Sequence, residues 1–154
     1  MTSGSGSLHQ AIRADAVALR QLVLSIEQFL VSRGVGNRAV FAAGLVIEEL
    51  VGNVIRHGYR GRTDSEVSVT LRLAPEEFEL TIVDTAPPFD PFTYQATRSS
   101  EPVPASSPGG RGLALVIHAC SRVGYQRVGD RNVVTVTLPR TDRSADPGVN
   151  SSAP

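Results

Sequence analysis

The sequence contains no lysine, so all 15 of its basic residues are arginine. A P-loop nucleotide site needs a lysine on the phosphates, and a Schiff-base enzyme needs a side-chain amine. Both classes of mechanism are therefore excluded for this chain.

Cysteine, net charge and long apolar runs are also scarce. The single cysteine, Cys120, lies in the apolar run LALVIHAC and is expected to be a small buried hydrophobe, and one cysteine leaves no internal disulfide. The 15 acidic residues balance the arginines, which argues against direct binding to nucleic acid or an anionic membrane. No stretch approaches the ~20 apolar residues of a membrane span, and MTSGSGS lacks the features of a signal peptide. We therefore expect a cytoplasmic protein.

The chain of 154 residues has the length of one domain. Residues 8–139 carry the apolar patterning and are predicted to form that domain. Residues 1–7 and 140–154 are polar, and we expect a disordered leader and a disordered tail.

Apolar residues at helical spacing predict two helices in the first third of the chain. The first begins after Asp15, a good N-cap, and ends at Gly34. The second begins at Asn37 as N-cap and runs to about His57, where Gly58 ends it. A weaker alternating pattern at residues 8–13 indicates an edge strand.

Alternation of apolar and polar residues then predicts four further strands in two hairpins, at residues 67–73 with 78–84 and at residues 122–128 with 133–138. Between them, residues 85–112 show no periodicity and are expected to form a structureless lid or binding loop, followed by a short helix at residues 113–119. The predicted fold class is α/β, a two-layer α+β sandwich. Its sheet is mixed and mostly antiparallel, with helices on one face.

Three local motifs carry candidate chemistry, and the first lies on the second helix. Glu49, Asn53 and His57 follow one another at intervals of four and share one stripe, with Gly52 beside it. Asn53 has the hard oxygen that Mg²⁺ prefers, Glu49 is a candidate proton acceptor, and Gly52 would let a ligand approach closely. Taken alone, this pattern is weak, and a solvated helix face is the simpler interpretation.

The second motif is Asp84, which ends an apolar strand and opens a proline-rich turn. A partly buried carboxylate there needs a hydrogen-bond donor, and the exocyclic amine of a base would supply one. A local alternative is that Asp84 caps the amides of its own loop.

The third motif is a run of glycines, Gly109, Gly110 and Gly112, that leads into a helix. Free N–H groups at a helix start favour an anion, and Arg111 adds a guanidinium that matches phosphate geometry. A flexible loop end explains the same residues without a ligand.

Together and in this order, the three motifs resemble the Bergerat-fold, histidine-kinase-like ATPases, and within them the small anti-sigma-factor serine kinases. The resemblance rests on residues 48–59 (EELVGNVIRHGY), 84–91 (DTAPPFDP) and 109–116 (GGRGLALV). It covers residues 8–139 and implies the Bergerat fold.

The resemblance also implies roles for single residues. Asn53 corresponds to the Mg²⁺-coordinating asparagine, Glu49 to the catalytic carboxylate and Asp84 to the residue that binds the adenine amine. The family usually has glycine two residues after this aspartate. Here Ala86 occupies that position, where its methyl group would either crowd the nucleotide or require a different backbone angle.

Gly110 and Gly112 correspond to the glycines whose amides hold phosphate, and Arg111 is an added phosphate contact. His57 is expected to orient the end of its helix. As a whole, the resemblance implies a homodimeric protein serine/threonine kinase that uses ATP and Mg²⁺. It would phosphorylate an anti-sigma-factor antagonist and sequester a sigma factor. Two alternatives stay open, a nucleotide-dependent binding module without turnover and a detached histidine-kinase catalytic domain.

Overall fold

The computed structural model describes residues 5–98 and 110–141. Five strands and four α-helices are present in these ranges, and a π-helical turn extends the second helix. In chain order they are β1 (Gly6–Arg13), α1 (Ala16–Ser32), α2 (Asn37–Asn53), the π turn (Val54–Gly58), β2 (Glu66–Leu73), β3 (Glu77–Asp84), α3 (Pro91–Arg98), α4 (Gly110–Ala119), β4 (Arg122–Val128) and β5 (Arg131–Pro139).

The first helix forms and ends as its sequence predicts. The Asp15 side chain accepts a hydrogen bond of 2.8 Å from the Ala18 N–H and so caps the helix start. Gly34, at a φ of 72°, adopts the left-handed conformation that closes the helix end. Four apolar side chains on the inner stripe are buried: Leu22, Val23, Ile26 and Leu30.

The five strands form one sheet in the order β1-β2-β3-β5-β4, and all four strand pairs are antiparallel. Along β2, β3 and β5, alternate residues are buried. Their buried side chains join those of α1 and α2 in one hydrophobic core, so the sheet has one helix-covered face. The predicted α/β fold class is confirmed, while the sheet is antiparallel throughout the described residues rather than mixed.

Asp84 and Asn132 lie where this buried face ends. The inward positions of β3 run Phe78, Leu80, Ile82 and then Asp84, so the hydrophobic series closes with a carboxylate. The register places Asn132 of β5 directly opposite Asp84. The helix-facing side of the sheet therefore carries two buried polar side chains at one end.

A helix lies inside the stretch expected to be structureless, so the prediction for residues 85–112 was wrong for α3. The sequence does hold a start signal for it, because Asp90 caps the helix and Pro91 occupies its first position. Oδ1 of Asp90 accepts from the Phe92 N–H at 2.9 Å, and Oδ2 accepts from the Thr93 hydroxyl at 2.7 Å. Residues 99–109, the rest of the predicted lid, lie outside the described residues.

Several element boundaries differ from the predicted ones by a few residues. β1 begins at Gly6 rather than residue 8, and α4 begins at Gly110 rather than residue 113. Gly36 rather than Asn37 is the N-cap of α2. The Val40 N–H donates a hydrogen bond of 3.0 Å to the Gly36 carbonyl oxygen. Residues 1–4 of the predicted leader and 142–154 of the predicted tail lie outside the described residues, so their disorder stays a prediction.

Cys120 behaves as an inert side chain rather than a nucleophile. It is partly buried at the end of α4, and this burial raises the pKa of its thiol to about 11. The reactive thiolate is therefore scarce at neutral pH. Within the described ranges, no helix combines the length and the apolar character needed to cross a membrane.

Candidate functional site

A cleft of about 490 Å³ opens between the end of α2 and the far end of β3. The π turn, the loop after β3, α3, α4 and β5 complete its walls. Its polar and apolar lining includes Asn53, His57, Asp84, Ala86, Tyr94, Leu113 and Asn132. A mostly apolar cleft with a few convergent polar groups is the usual form of a small-molecule site.

Asp84 is the buried anchor of this cleft, with only 3% of its surface exposed. Its Oδ1 accepts hydrogen bonds from the Ala86 N–H at 2.9 Å and from Nδ2 of Asn132 at 2.8 Å. The local alternative, capping of its own loop, is therefore present. Among the described residues both of these donors use Oδ1 and none uses Oδ2, and Asp84 lines the cleft.

Ala86 causes no left-handed strain in the backbone of this loop. In the described part of the chain the non-glycine residue with positive φ is Arg60, on the cleft rim. The Ala86 methyl group packs against Gly58, since a Cβ added at Gly58 would lie 2.8 Å from it. The absence of a side chain at Gly58 therefore leaves the space next to the Ala86 methyl group.

Asn53 and His57 both line the cleft, but α2 changes geometry between them. The helix becomes π-helical at Val54, with the Tyr59 N–H bonded to the Val54 carbonyl at 2.7 Å. π-helical turns inside helices are frequent at functional sites. Gly52 does not offer open space to a ligand, because the Arg56 guanidinium lies over it, 2.8 Å from an added Cβ.

Glu49 lies beside the cleft, against the first turn of α4. A Cβ added at Gly112 would be only 2.0 Å from Oε1 of Glu49, so the Glu49 carboxylate occupies the space that a side chain at residue 112 would fill. Oε2 is buried and has no hydrogen-bond partner among the described residues. Burial raises the pKa of Glu49, against the opposing effect of the nearby Arg56.

The glycine motif lies at the start of α4, as its sequence predicts, and α4 begins at Gly110. The first N–H groups of this ten-residue helix have no partner within the helix and are oriented toward its N-terminal end. The side chain of Arg111 lies outside the described residues, so its phosphate contact stays a prediction. The structure thus brings Glu49 and Gly112 together, beside the cleft that Asp84 lines.

Tyr59 is a site residue whose individual role the sequence did not show. Its buried hydroxyl donates to the Glu66 carbonyl at 2.8 Å and accepts from the Thr85 N–H at 2.9 Å. It therefore fastens the end of the π turn to β2 and to the residue after Asp84. The sequence signal was limited to its place in the HGY ending of the first motif.

Removal of this hydroxyl by Tyr59→Phe is expected to lower the free energy of unfolding by about 1–3 kcal/mol, since it removes two hydrogen bonds that contribute about 0.5–1.5 kcal/mol each. Urea denaturation measures this loss. An unchanged free energy of unfolding in Tyr59→Phe would contradict this role of Tyr59.

Asn132 is the second residue that the sequence analysis missed, because it started the last strand at residue 133. Extending the alternation of Val134, Val136 and Leu138 by one step would have placed an asparagine on the buried face. Its Nδ2 contacts Asp84, and its exposure is 3%. Asn132 therefore belongs to the candidate site.

The chain is similar to known proteins over most of its length. A family model described as the histidine kinase-like ATPase domain matches residues 12–138. The chain is 28% identical over 100 residues to the serine/threonine-protein kinase BtrW of Bordetella bronchiseptica, covering 65% of this chain and 70% of that protein.

Among solved structures, the chain is similar to the crystal structure of the RsbU and RsbW domains of Rv1364c from Mycobacterium tuberculosis. The TM-score is 0.61 and the sequence identity 19% over 88% of this chain. At this identity the likeness concerns the fold. The chain spans 33% of that longer one.

Proposed function

This chain belongs to the histidine kinase-like ATPase family, and on that premise we propose that it binds ATP and Mg²⁺ and phosphorylates a partner protein. The phosphoacceptor is a serine or threonine of an anti-sigma-factor antagonist, and a sigma factor is the protein held and released. The observation that carries the proposal is a buried Asp84 in the wall of a cleft of about 490 Å³ that Asn53 also lines. The name of the relative BtrW supports the choice of a hydroxyl acceptor.

Adenine is the base that fits the Asp84 end of the cleft. Oδ2 of Asp84 would accept a hydrogen bond from the exocyclic amine, while Ala86, Pro87 and Leu113 supply apolar surface. A buried carboxylate that accepts a hydrogen bond from a ligand is left unpaired when a ligand lacks the donor, and this gives strong selectivity.

The polar groups at the other end fit a metal-bound triphosphate. The described residues form no cluster of three acidic, histidine or cysteine side chains that could hold a metal alone. Mg²⁺ is commonly bound by one or two protein oxygens together with substrate phosphates, and there it neutralises phosphate charge. Asn53 would provide the protein oxygen. The Gly110 and Gly112 N–H groups at the start of α4 and the Arg111 guanidinium would hold phosphate oxygens.

Glu49 is the proposed proton acceptor of the transfer. The hydroxyl oxygen of the partner attacks the γ-phosphorus as its proton passes to the Glu49 carboxylate. The bond from the γ-phosphorus to the bridging oxygen breaks, and ADP leaves. The raised pKa of Glu49 makes its ionised form a stronger base, which favours this role.

One observation favours the alternative of a binding module without turnover. Glu49 lies against Gly112 rather than in the described wall of the cleft, so a kinase would need this contact to open. Transfer of labelled phosphate from ATP to the antagonist separates the two functions. A detached histidine-kinase domain would give an acid-labile phosphohistidine instead of an acid-stable phosphoserine.

Binding of the nucleotide itself is tested by thermal shift with ADP or ATP and Mg²⁺. A ligand at 100 times its dissociation constant stabilises a fold by about 2.7 kcal/mol, so the unfolding temperature should rise by several degrees. Asp84→Asn presents an amide to the base where the carboxylate was, and we expect it to weaken ADP binding by about tenfold. Absence of any shift in the wild type would contradict the proposal.

The matched control for Asp84→Asn is Asp90→Asn, in the cap of α3 beside the same cleft. This change alters charge by the same amount but keeps a good N-cap, since asparagine caps helices as well as aspartate does. Its ADP affinity should stay close to that of the wild type. An equal loss in both variants would mean that net charge, rather than contact with the base, is responsible.

A further inference from the structure

A row of polar side chains crosses three strands beneath the cleft. The register places Asp84 of β3 opposite Asn132 of β5, and Asn132 opposite Arg127 of β4. Tyr125 lies two residues before Arg127 and contacts the same asparagine. This row, Asp84–Asn132–Arg127 with Tyr125, lies at the end of the hydrophobic face of the sheet.

The two polar atoms of the Asn132 side-chain amide contact different sets of partners. Nδ2 donates to Oδ1 of Asp84 at 2.8 Å, to the Ala86 carbonyl at 3.1 Å and to the Pro87 carbonyl at 3.2 Å. Oδ1 accepts from the Tyr125 hydroxyl at 2.8 Å and from Nη1 of Arg127 at 3.0 Å. A flipped amide would place oxygen against three acceptors, so these partners fix its orientation.

Two features of the cleft depend on this orientation. The first is the Asp84 carboxylate, whose Oδ1 is occupied by Asn132 and the Ala86 N–H, so that Oδ2 is left as an acceptor. The second is the backbone of residues 86–87, which lines the cleft. The Ala86 carbonyl also accepts from Nη1 of Arg127 at 2.8 Å, so Arg127 fixes both the loop and the asparagine.

We propose that Asn132, fixed by Tyr125 and Arg127, is a positioning residue that orients the Asp84 carboxylate and so sets selectivity for a 6-amino over a 6-oxo purine. The inference rests on the proposed function, because it concerns the same nucleotide cleft. A fixed acceptor at Oδ2 pairs with the amine of adenine and repels the carbonyl oxygen of hypoxanthine. Asn132 itself acts through Asp84.

The test compares ADP with inosine diphosphate, which carries oxygen in place of the amine. Dissociation constants for both, with Mg²⁺, are measured by calorimetry on the full chain. The wild type should prefer ADP. Asn132→Ala should weaken the binding of ADP by about tenfold, the size expected when a hydrogen bond to a charged group is lost. The binding of inosine diphosphate should change little. The ratio of the two constants therefore falls.

Tyr125→Phe provides a milder variant that keeps Asn132 and removes one of the three donors to its Oδ1. The other two are Nη1 of Arg127 at 3.0 Å and the Phe89 N–H at 3.4 Å. This variant should shift the same ratio in the same direction by about threefold. The control is Val136→Ala, a fully buried residue of β5 outside the polar row, which lowers stability without a reason to change selectivity.

The outcomes separate this inference from the proposed function. A wild type that binds neither nucleotide overturns the proposed function, and the inference falls with it. A wild type that binds ADP, with an unchanged ratio in Asn132→Ala, overturns the inference alone. If Asn132→Ala fails to fold, an unchanged ratio in Tyr125→Phe has the same force. If Val136→Ala changes the ratio of the two dissociation constants as much as Asn132→Ala does, the effect comes from general destabilisation, and the inference is also overturned.

Discussion

Replacing Glu49 by glutamine is expected to lower phosphoryl transfer by about 10²- to 10⁴-fold, the contribution typical of a general base. Glutamine has the same shape and fits against Gly112, but it cannot take the proton of the attacking hydroxyl. Nucleotide affinity should stay near the wild-type value, because Asp84 and Asn53 are unchanged. The measurement is the initial rate of phosphoserine formation from labelled ATP, alongside calorimetry with ADP.

Glu48→Gln is the matched control, since it changes the neighbouring glutamate, which is exposed. It should transfer phosphate at close to the wild-type rate. If Glu49→Gln transfers phosphate at a rate within about threefold of the wild type, Glu49 is excluded as the base, because a much larger loss is expected for a general base.

The same variant has an expected effect on stability that depends on pH. Burial raises the pKa of Glu49 in the folded chain above its value in the unfolded chain. The stability that this shift contributes is therefore complete below the unfolded-state pKa and is lost as pH rises through the folded-state pKa. Glu49→Gln should melt at a higher temperature than the wild type near neutral pH. This advantage should shrink as pH falls through the folded-state pKa of Glu49. Thermal melts across that range test the sign.

Adding a methyl group at Gly58 is expected to destabilise the fold by about 1–3 kcal/mol, the usual cost of overpacking a tight contact. The new Cβ would lie 2.8 Å from the Ala86 methyl group, and both residues belong to segments fixed by hydrogen bonds. The backbone of Gly58 is not in the left-handed region, so the expected loss of stability comes from the steric contact rather than from backbone strain. Urea denaturation of Gly58→Ala measures the loss.

Ala86→Gly in the Gly58→Ala background should recover most of this stability, because it removes the other methyl group of the pair. The coupling energy from the double-mutant cycle is the decisive quantity, with about 0.5–3 kcal/mol expected for residues in contact. Gly124→Ala is the control, since an added Cβ there meets nothing within 4 Å. Simple additivity of the two changes would mean that Gly58 does not accommodate Ala86.

The fold and the family were predictable because their signals are local. Helix caps such as Asp15, closing glycines such as Gly34 and the alternation along β2 and β3 act over a few residues, and the structure confirms them. The order of the three motifs indicated the histidine-kinase-like ATPase family, which the family match over residues 12–138 confirms. The Asp90–Pro91 start of α3 was equally local and was overlooked.

The contacts that shape the site were decided by the tertiary structure. Asn132 meets Asp84 across 48 positions of sequence, through a strand register that no local pattern specifies. Ala86 meets Gly58, and Glu49 meets Gly112, through the packing of loops and helices. The sequence by itself determined the secondary structure, the order of the motifs and the residue types available for chemistry, because these depend on neighbouring residues. Which side chains touch depends on register and packing, and these follow from the burial of the whole core at once.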